Sequence, residues 1–443
     1  MFGKKKGKDL PKISRKLKQG AIEKQVSYIM AVPRDMDLIK DPDDIIARLR
    51  EAKNFQLVHY RMGDEEMEIA VSYNGEEYAL TLTPENLELP ELYTINHHFT
   101  EDDIAAMKAA SVGLTSAMTF GGNNLDSYHL QLKVLDCVVP DMVGIVDFCA
   151  EKILSGLWAH MAARSEVPPA PSYIYTIQAV SGDNDVVWLH THGLNRCGSI
   201  ELEILDSDRE YYGDQCNVLQ TIAGNVITRG PLGEEEDAFW VSTLSDGSYL
   251  MATWVDWAEA VLQYDGNMLG GAADREEGHN DNTGVLYVYP SADDFEKKHY
   301  VHISIYNEDL RNNPIMMISS EETERMRALA RERFSYFRNW VQREDVTGII
   351  KFGLLVDDEY QNEEKTNLEH IWFEAEEIDG DTVKCLRTQD AYYIKSINEG
   401  DELEIELDKL TDWVLYLPAF SVTPDSVYLL VQVEEGKLSL GKQ

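Results

Sequence analysis

The residues with the most chemical potential lie in one short run, Trp188-Leu189-His190-Thr191-His192-Gly193-Leu194-Asn195-Arg196-Cys197-Gly198-Ser199-Ile200-Glu201-Leu202-Glu203. If the run begins as a β-strand, His190 and His192 project from the same face, about 6–7 Å apart, close enough for two neutral imidazoles to share one metal ion. Cys197, Glu201, or His279 from a later Gly-rich segment could supply a third donor, and such a set suits zinc in a metal-dependent hydrolase. The same pattern also fits a non-metal ligand site, a thiol nucleophile at Cys197, or plain scaffolding at a strand-to-loop junction. In the scaffolding reading Gly193 and Gly198 serve backbone geometry, and Arg196 pairs with Glu201 or Glu203. Scaffolding is the reading adopted here, because two histidines on a strand make a weak metal signal by themselves.

Other candidate motifs are weaker. The run Asp274-Arg275-Glu276-Glu277-Gly278-His279-Asn280-Asp281 offers close carboxylates but lacks the ligand ladder of an EF-hand, so it reads as a solvated loop or a lid. Acidic runs at Gly233-Glu234-Glu235-Glu236-Asp237 and Asp357-Asp358-Glu359 read as wet surface, because acid–base work needs burial or a neighbour to separate the pKa values. Phe120-Gly121-Gly122-Asn123 lacks the Gly-Lys-Ser/Thr ending of a phosphate loop, and no nucleophile elbow occurs. Near the C-terminus, Trp372, Tyr392, Tyr393 and Trp413 are read as core or as a partner groove.

These side chains need a scaffold of alternating strands and helices. Asp41-Pro42 reads as the cap and first position of a helix, and Asn74-Gly75 as a hairpin turn. Pro84 to Pro90 reads as a connector. Strands are expected at Leu114 to Phe120, Val143 to Val146, Tyr173 to Val180, Val187 to His192, Ile200 to Leu205, Val285 to Tyr289 and Tyr300 to Tyr306. Helices are expected at Leu125 to Val138, Ile153 to Ala163 and Tyr211 to Ile227, with a long amphipathic one from Ser320 to Arg343. The alternations around Phe373 and Ile405 predict half-buried antiparallel strands with a wet, acidic face.

The whole reads as a mixed α/β or α+β chain of several domains with a strand-rich C-terminal part. The expected divisions are a basic flexible tail (1–24), a small α+β domain (25–90), a mixed α/β central region (91–318), an amphipathic helix (319–347) and a C-terminal domain (348–443). At 443 residues, with 44% hydrophobic content and 8 Trp, there is ample material for packed cores. The net charge of −39 opposes binding of the main body to nucleic acid or an anionic membrane. The first 24 residues, with nine basic side chains against two acidic ones, are the exception. Five scattered cysteines without a C-x-x-C pair, no signal-peptide core and no spanning apolar run point to a reducing cytoplasm.

From about Gly348 to Leu430 the chain resembles bacterial domain-of-unknown-function family 2314. The residues that carry this are Glu369-His370-Ile371-Trp372-Phe373, Tyr392-Tyr393-Ile394, Glu399-Gly400-Asp401, and Ile405 to Trp413. The preceding region, including Trp188 to Glu203, is similar to family 4026 of the same catalogue. The segment Thr191-His192-Gly193-Leu194 with Gly198 and Glu201-Leu202 is also similar to the T-x-G-L…G…E-L pattern of suppressor-of-fused-like and bacterial immunity-protein domains. The two main resemblances imply a bacterial setting and this domain order but no reaction. The expectation is a non-catalytic binding, immunity-like or adaptor protein whose acidic surface docks a basic protein partner, with charge steering the encounter. The alternatives are the zinc-dependent hydrolase at His190 and His192 and a small-molecule sensor built on the C-terminal aromatic residues.

Overall fold

The computed structural model describes residues 21–91, 93–182, 185–231, 238–264, 268–275, 283–312, 315–361, 367–388 and 390–441. Among them three sheets form, so the fold is α+β and multi-domain. The first sheet is built from β1 (Val26–Pro33), β2 (Gln56–Met62), β3 (Met67–Tyr73), β4 (Glu76–Asn86), β5 (Thr94–Ile95), β6 (Val112–Thr119), β7 (Met142–Asp147) and β8 (Lys152–Ser155). Their order is β2-β3-β4-β6-β1-β7-β8-β5. The β3–β4 hairpin turns at Asn74 and Gly75, both with positive φ (48° and 84°), the geometry a two-residue turn needs to follow the strand twist.

Two expectations change here. Strands of the 25–90 segment pair with β6, and β1 lies between β6 and β7, so this segment shares its sheet with residues 112–155 instead of closing a small domain of its own. β4 also runs through Pro84, which stands opposite Leu114, so the connector read at Pro84 begins later. The helix Asn124–Val138 is buried on nearly every side against this sheet. Its polar residues are accommodated by hydrogen bonds: the Ser27 hydroxyl donates to Gln131 Oε1 (2.8 Å), Gln131 Nε2 donates to the Ser116 carbonyl (2.8 Å), and Tyr73 meets His129 Nδ1 (3.1 Å).

The second sheet has the order β15-β12-β13-β14-β11-β10-β9. It contains β9 (Thr176–Ser181), β10 (Val186–His192), β11 (Glu201–Asp208), β12 (Phe239–Thr243), β13 (Tyr249–Asp256), β14 (Thr283–Tyr289) and β15 (Ile315–Met316). The apolar stripe of helix Tyr212–Arg229, Val218, Leu219, Ile222, Ala223 and Val226, is buried. Both sheets belong to one compact unit made of Met1–His97, Met107–Gly156 and Pro171–Ser319. Ile153 to Ala163 begins as strand β8 and becomes helical only at Gly156, because Lys152–Ser155 completes a ladder with β7. Tyr300 to Tyr306 makes one bridge, Val288 to Val301, and then a 3-10 turn, so no strand forms there.

The second unit consists of 98–106, 157–170 and 320–443. Its sheet, β19-β18-β17-β16-β20-β21, is antiparallel throughout: β16 (Thr347–Leu355), β17 (Leu368–Asp379), β18 (Thr382–Arg387), β19 (Glu402–Glu406), β20 (Leu410–Tyr416) and β21 (Ser421–Val422). The expected single helix over 320–343 is two, Ser320–Glu332 and Phe334–Trp340, divided at Arg333, whose backbone (φ −101°, ψ 10°) leaves the helical region. The break turns Phe334, Phe337 and Trp340 onto Ile350, Phe352, Phe373 and Trp413. None of the five cysteines is paired, and no described helix is long and apolar enough to cross a membrane.

Trp413 sits at the centre of this second core, fully buried, with its indole N–H donated to the Ala330 carbonyl (3.0 Å). Replacing it with alanine opens a large cavity and leaves that carbonyl unpaired. Trp413→Ala is expected to lower stability by about 3–5 kcal/mol in urea unfolding, and a loss below about 1 kcal/mol would show that this core is not packed as described.

Candidate functional site

Strand β10 alternates faces, so Trp188, His190 and His192 line up on one side. The Trp188 and His190 rings stack with centroids 3.9 Å apart, and His190 meets the His192 ring edge-on at 4.8 Å. The strand ends at Gly193 (φ 112°), where a Cβ would sit 2.5 Å from the Ile174 carbonyl. Only glycine serves there. A 3-10 turn, Leu194–Cys197, follows and closes on Gly198 in the same left-handed region (φ 81°).

Glu201 and Glu203 project from β11 into this region and do different work. Glu201 Oε1 accepts the N–H groups of Gly193 (2.9 Å) and Asn195 (3.1 Å), while Oε2 accepts the Thr191 hydroxyl (2.6 Å). It is the clamp that shapes the turn. Burial pushes its carboxyl up to about 7, against the pull of the hydrogen bonds from Thr191, Asn195 and Gly193. Glu203 accepts the Trp188 indole N–H (2.7 Å), the Thr283 hydroxyl and the Arg275 guanidinium (2.7 Å). Arg275 in turn lies between two indole faces, 5.2 Å from Trp188 and 4.4 Å from Trp257.

Arg196 points away from both glutamates, contrary to the pairing expected from sequence. Its guanidinium grips Asp147 with two bonds (3.0 and 2.8 Å), takes Ser27 Oγ (3.1 Å) and the Ile174 carbonyl as further acceptors, and faces the rings of Tyr128 and Phe120. Both members of the Arg196–Asp147 pair have fully buried side chains. Asp147 ends β7, so this pair ties the first sheet to the turn of the second. The segment before β1 adds to the same turn: Ile22 and Gln25 donate to the carbonyls of Gly198 (3.0 Å) and Asn195 (3.1 Å). Lys24 lies over it, with its ammonium on Asn124 Oδ1 (2.8 Å) and the Gly121 carbonyl.

The result is a cavity of about 560 Å³ walled by Lys24, Tyr28, Phe148, Trp188, His190, His192, Glu201, Glu203, Arg275 and Thr283, among others. The structure therefore gathers His190, His192 and Glu201. Cys197 does not line the cavity; it is buried behind the turn, and burial pushes its thiol up to about 12, which keeps it protonated and a poor nucleophile or ligand. His279 lies outside the described residues. No group of three or more His, Cys, Asp or Glu side chains is placed to hold a metal ion among the described residues. The two Glu201 oxygens are already committed to the turn, so zinc would need a donor from elsewhere. Outside the cavity, His192 Nδ1 lies 3.4 Å from Glu151, which also accepts from Gln178 (2.6 Å).

The other candidate sites disperse. Register places Trp413 beside Ile350 and Phe373 on the packed face, whereas Trp372 lies beside Lys351 and Asp412 on the opposite face. The four aromatics are thus not one groove: Trp413 is core, and Tyr392 and Tyr393 are exposed. The 233–237 run and most of the 274–281 loop lie outside the described residues. Asn123 of the Gly121-Gly122 segment caps the following helix through Leu125 N–H (2.9 Å). Sequence reasoning missed Asp147, Arg275 and Lys24. Asp147 did carry a signal, since an acid closing the apolar run Met142–Val146 needs a partner.

Two predictions follow from this geometry. Arg196→Ala strands a buried carboxylate and is expected to cost about 3–5 kcal/mol, whereas Arg196→Met combined with Asp147→Leu costs far less than the two single alanine changes together; equal costs in chemical unfolding would contradict a buried, coupled pair. Glu201 holds a proton in the folded protein that the unfolded chain releases above about 4.5, so its contribution is fully present below that pH and is lost as pH rises through about 7. This change amounts to on the order of 3 kcal/mol, and Glu201→Gln is expected to flatten the slope of stability between those limits. An unchanged slope would place the titration elsewhere.

Residues 27–169 match a family model described as the N-terminal part of a protein of unknown function (DUF4026), and 177–287 match the C-terminal part of the same family. Residues 321–421 match an uncharacterized protein conserved in bacteria (DUF2314). No curated protein and no solved structure matches the chain. Asp147 falls in the first match, and the run from Trp188 to Glu203 with Arg275 and Thr283 in the second. The chain belongs to the DUF4026 family, both parts of which it carries in order ahead of a DUF2314 domain.

Proposed function

We propose that this protein works by binding, and that the cavity under Trp188, His190 and His192 receives a small, flat, uncharged polar molecule. The observation that carries this reading is the pairing of the buried acidic and guanidinium groups behind the wall. Asp147 is matched by Arg196, Glu203 by Arg275, and Glu201 by three hydrogen-bond donors. Lys24, on the same wall, has its ammonium held by Asn124 Oδ1 and the Gly121 carbonyl. A ligand bearing a full charge against Arg196, Glu203 or Arg275 would have to break one of these buried pairs, at a cost of several kcal/mol. What the wall offers a guest is ring edges from Trp188, His190 and His192, which suit edge-on contact with a planar heterocycle carrying hydrogen-bonding groups. The volume is in the range of small-molecule sites, and the wall is held rigid from behind, so little ordering is required on binding.

The test uses adenine and nicotinamide as neutral probes, with benzoate and benzylamine as charged ones of similar size. Thermal shift and tryptophan emission are expected to respond to at least one neutral probe. His192→Ala, at the edge of the cavity, should weaken that response about tenfold while leaving the melting temperature within a few degrees. A response confined to the charged probes, or one unaltered in His192→Ala, would contradict the reading.

A further inference from the structure

We propose that the tyrosine ledge of the C-terminal sheet docks a lysine- or arginine-rich segment of a partner protein. The ledge forms where the end of β16, the start of β17 and the 390–393 turn meet. Leu355 and Leu368 stand opposite each other across the strand pair, and both are exposed. The Tyr360 and Tyr393 rings lie 5.4 Å apart, and those of Tyr392 and Tyr393 6.4 Å apart. Leu355 (62% exposed), Tyr392 (72%) and Tyr393 (51%) are far more open than large apolar residues in a packed sheet.

The ledge is held in place rather than loose. Glu369 accepts the backbone N–H of both Tyr392 (2.7 Å) and Tyr393 (2.9 Å), and the Asp357 N–H donates to the Tyr393 carbonyl (2.9 Å). The Glu369 carboxylate and a backbone bond from Asp357 thus fix the turn and leave the rings facing water. A preformed aromatic surface loses little entropy on binding.

Charge selects the occupant. Asp358, Glu359 and Asp390 are exposed around the rings, with Glu369 beneath them. Among the described residues the cations beside the ledge are already engaged: Lys395 pairs with Glu359, and buried Arg387 donates to the Trp372 carbonyl (2.8 Å). An apolar partner would cover the rings and offer nothing to the exposed carboxylates of Asp358 and Asp390, and a nucleic acid would be repelled. A basic segment satisfies both features, placing cationic heads on ring faces and carboxylates. The chain already shows this contact in miniature, with the Lys395 ammonium 5.8 Å from the Tyr360 ring centre.

The test must separate the ledge from the general attraction of a chain whose net charge is −39. Fluorescence anisotropy with the full chain and a labelled Arg-Gly repeat peptide provides it. Tyr392→Ala with Tyr393→Ala keeps every charge in place, so a peptide held only by the overall field binds this variant as well as the parent. The proposal expects at least tenfold weaker binding to that variant, largely restored binding with Tyr392→Phe and Tyr393→Phe, and none for a Glu-Gly repeat. Equal affinity for parent and alanine variant, no peptide binding at low salt, or preferential binding of an RNA oligonucleotide would each overturn it.

Discussion

The buried pair between Arg196 and Asp147 is the constraint on which the rest of the larger unit depends. Each ion costs several kcal/mol to remove from water, and that cost is offset only by close geometry and further hydrogen bonds. Here the guanidinium reaches both carboxylate oxygens, Ser27 Oγ and the Ile174 carbonyl, while Asp147 Oδ1 also receives the backbone N–H groups of Cys149 (3.2 Å) and Ala150 (3.0 Å). So many partners can be satisfied in only one relative placement of β7 and the turn after β10. The pair therefore sets the register between two sheets, and with it the walls of the cavity they enclose.

A second charged pair repeats the logic on the far wall. Glu203 and Arg275 lock together with the Trp188 and Trp257 rings on either side of the guanidinium, and the Trp257 indole N–H reaches the Gly270 carbonyl (3.0 Å). Glu201, two residues before Glu203 on the same strand, meets backbone donors instead of an arginine. Identical side chains thus acquire different duties from their surroundings: one shapes the turn, and the other anchors the segment before β14. With both settled, the acidic and guanidinium groups around His190 and His192 are already partnered, which supports the neutral guest proposed above.

Much of the fold was legible in the sequence, because the elements announce themselves locally. Asp41-Pro42 capped a helix as expected, Asn74-Gly75 turned a hairpin, and the run from Leu125 to Val138 was helical. What escaped was set by distant partners. Lys152–Ser155 has helix-compatible residues but found an open edge on β7, and β1 was drawn into a sheet with strands more than eighty residues later. At the site, the face shared by His190 and His192 followed from strand periodicity alone. The partner of Arg196 could not, since Asp147 lies 49 positions away and both nearby glutamates were plausible. Trp372 and Trp413 looked alike in sequence, and only their register across β16 separates the exposed face from the core.

The central claim is that the imidazoles of His190 and His192 face a ready-made cavity for a neutral planar molecule. Selective carbon-13 labelling of histidine Cε1 and observation by NMR reads those two rings directly among the chain's 11 histidines. On titration with a neutral heterocycle, the account predicts that the His190 and His192 signals move together while the signals of histidines that do not line the cavity, such as His129, stay fixed. Signals that remain still with the heterocycle but shift sharply on addition of one equivalent of zinc would contradict it.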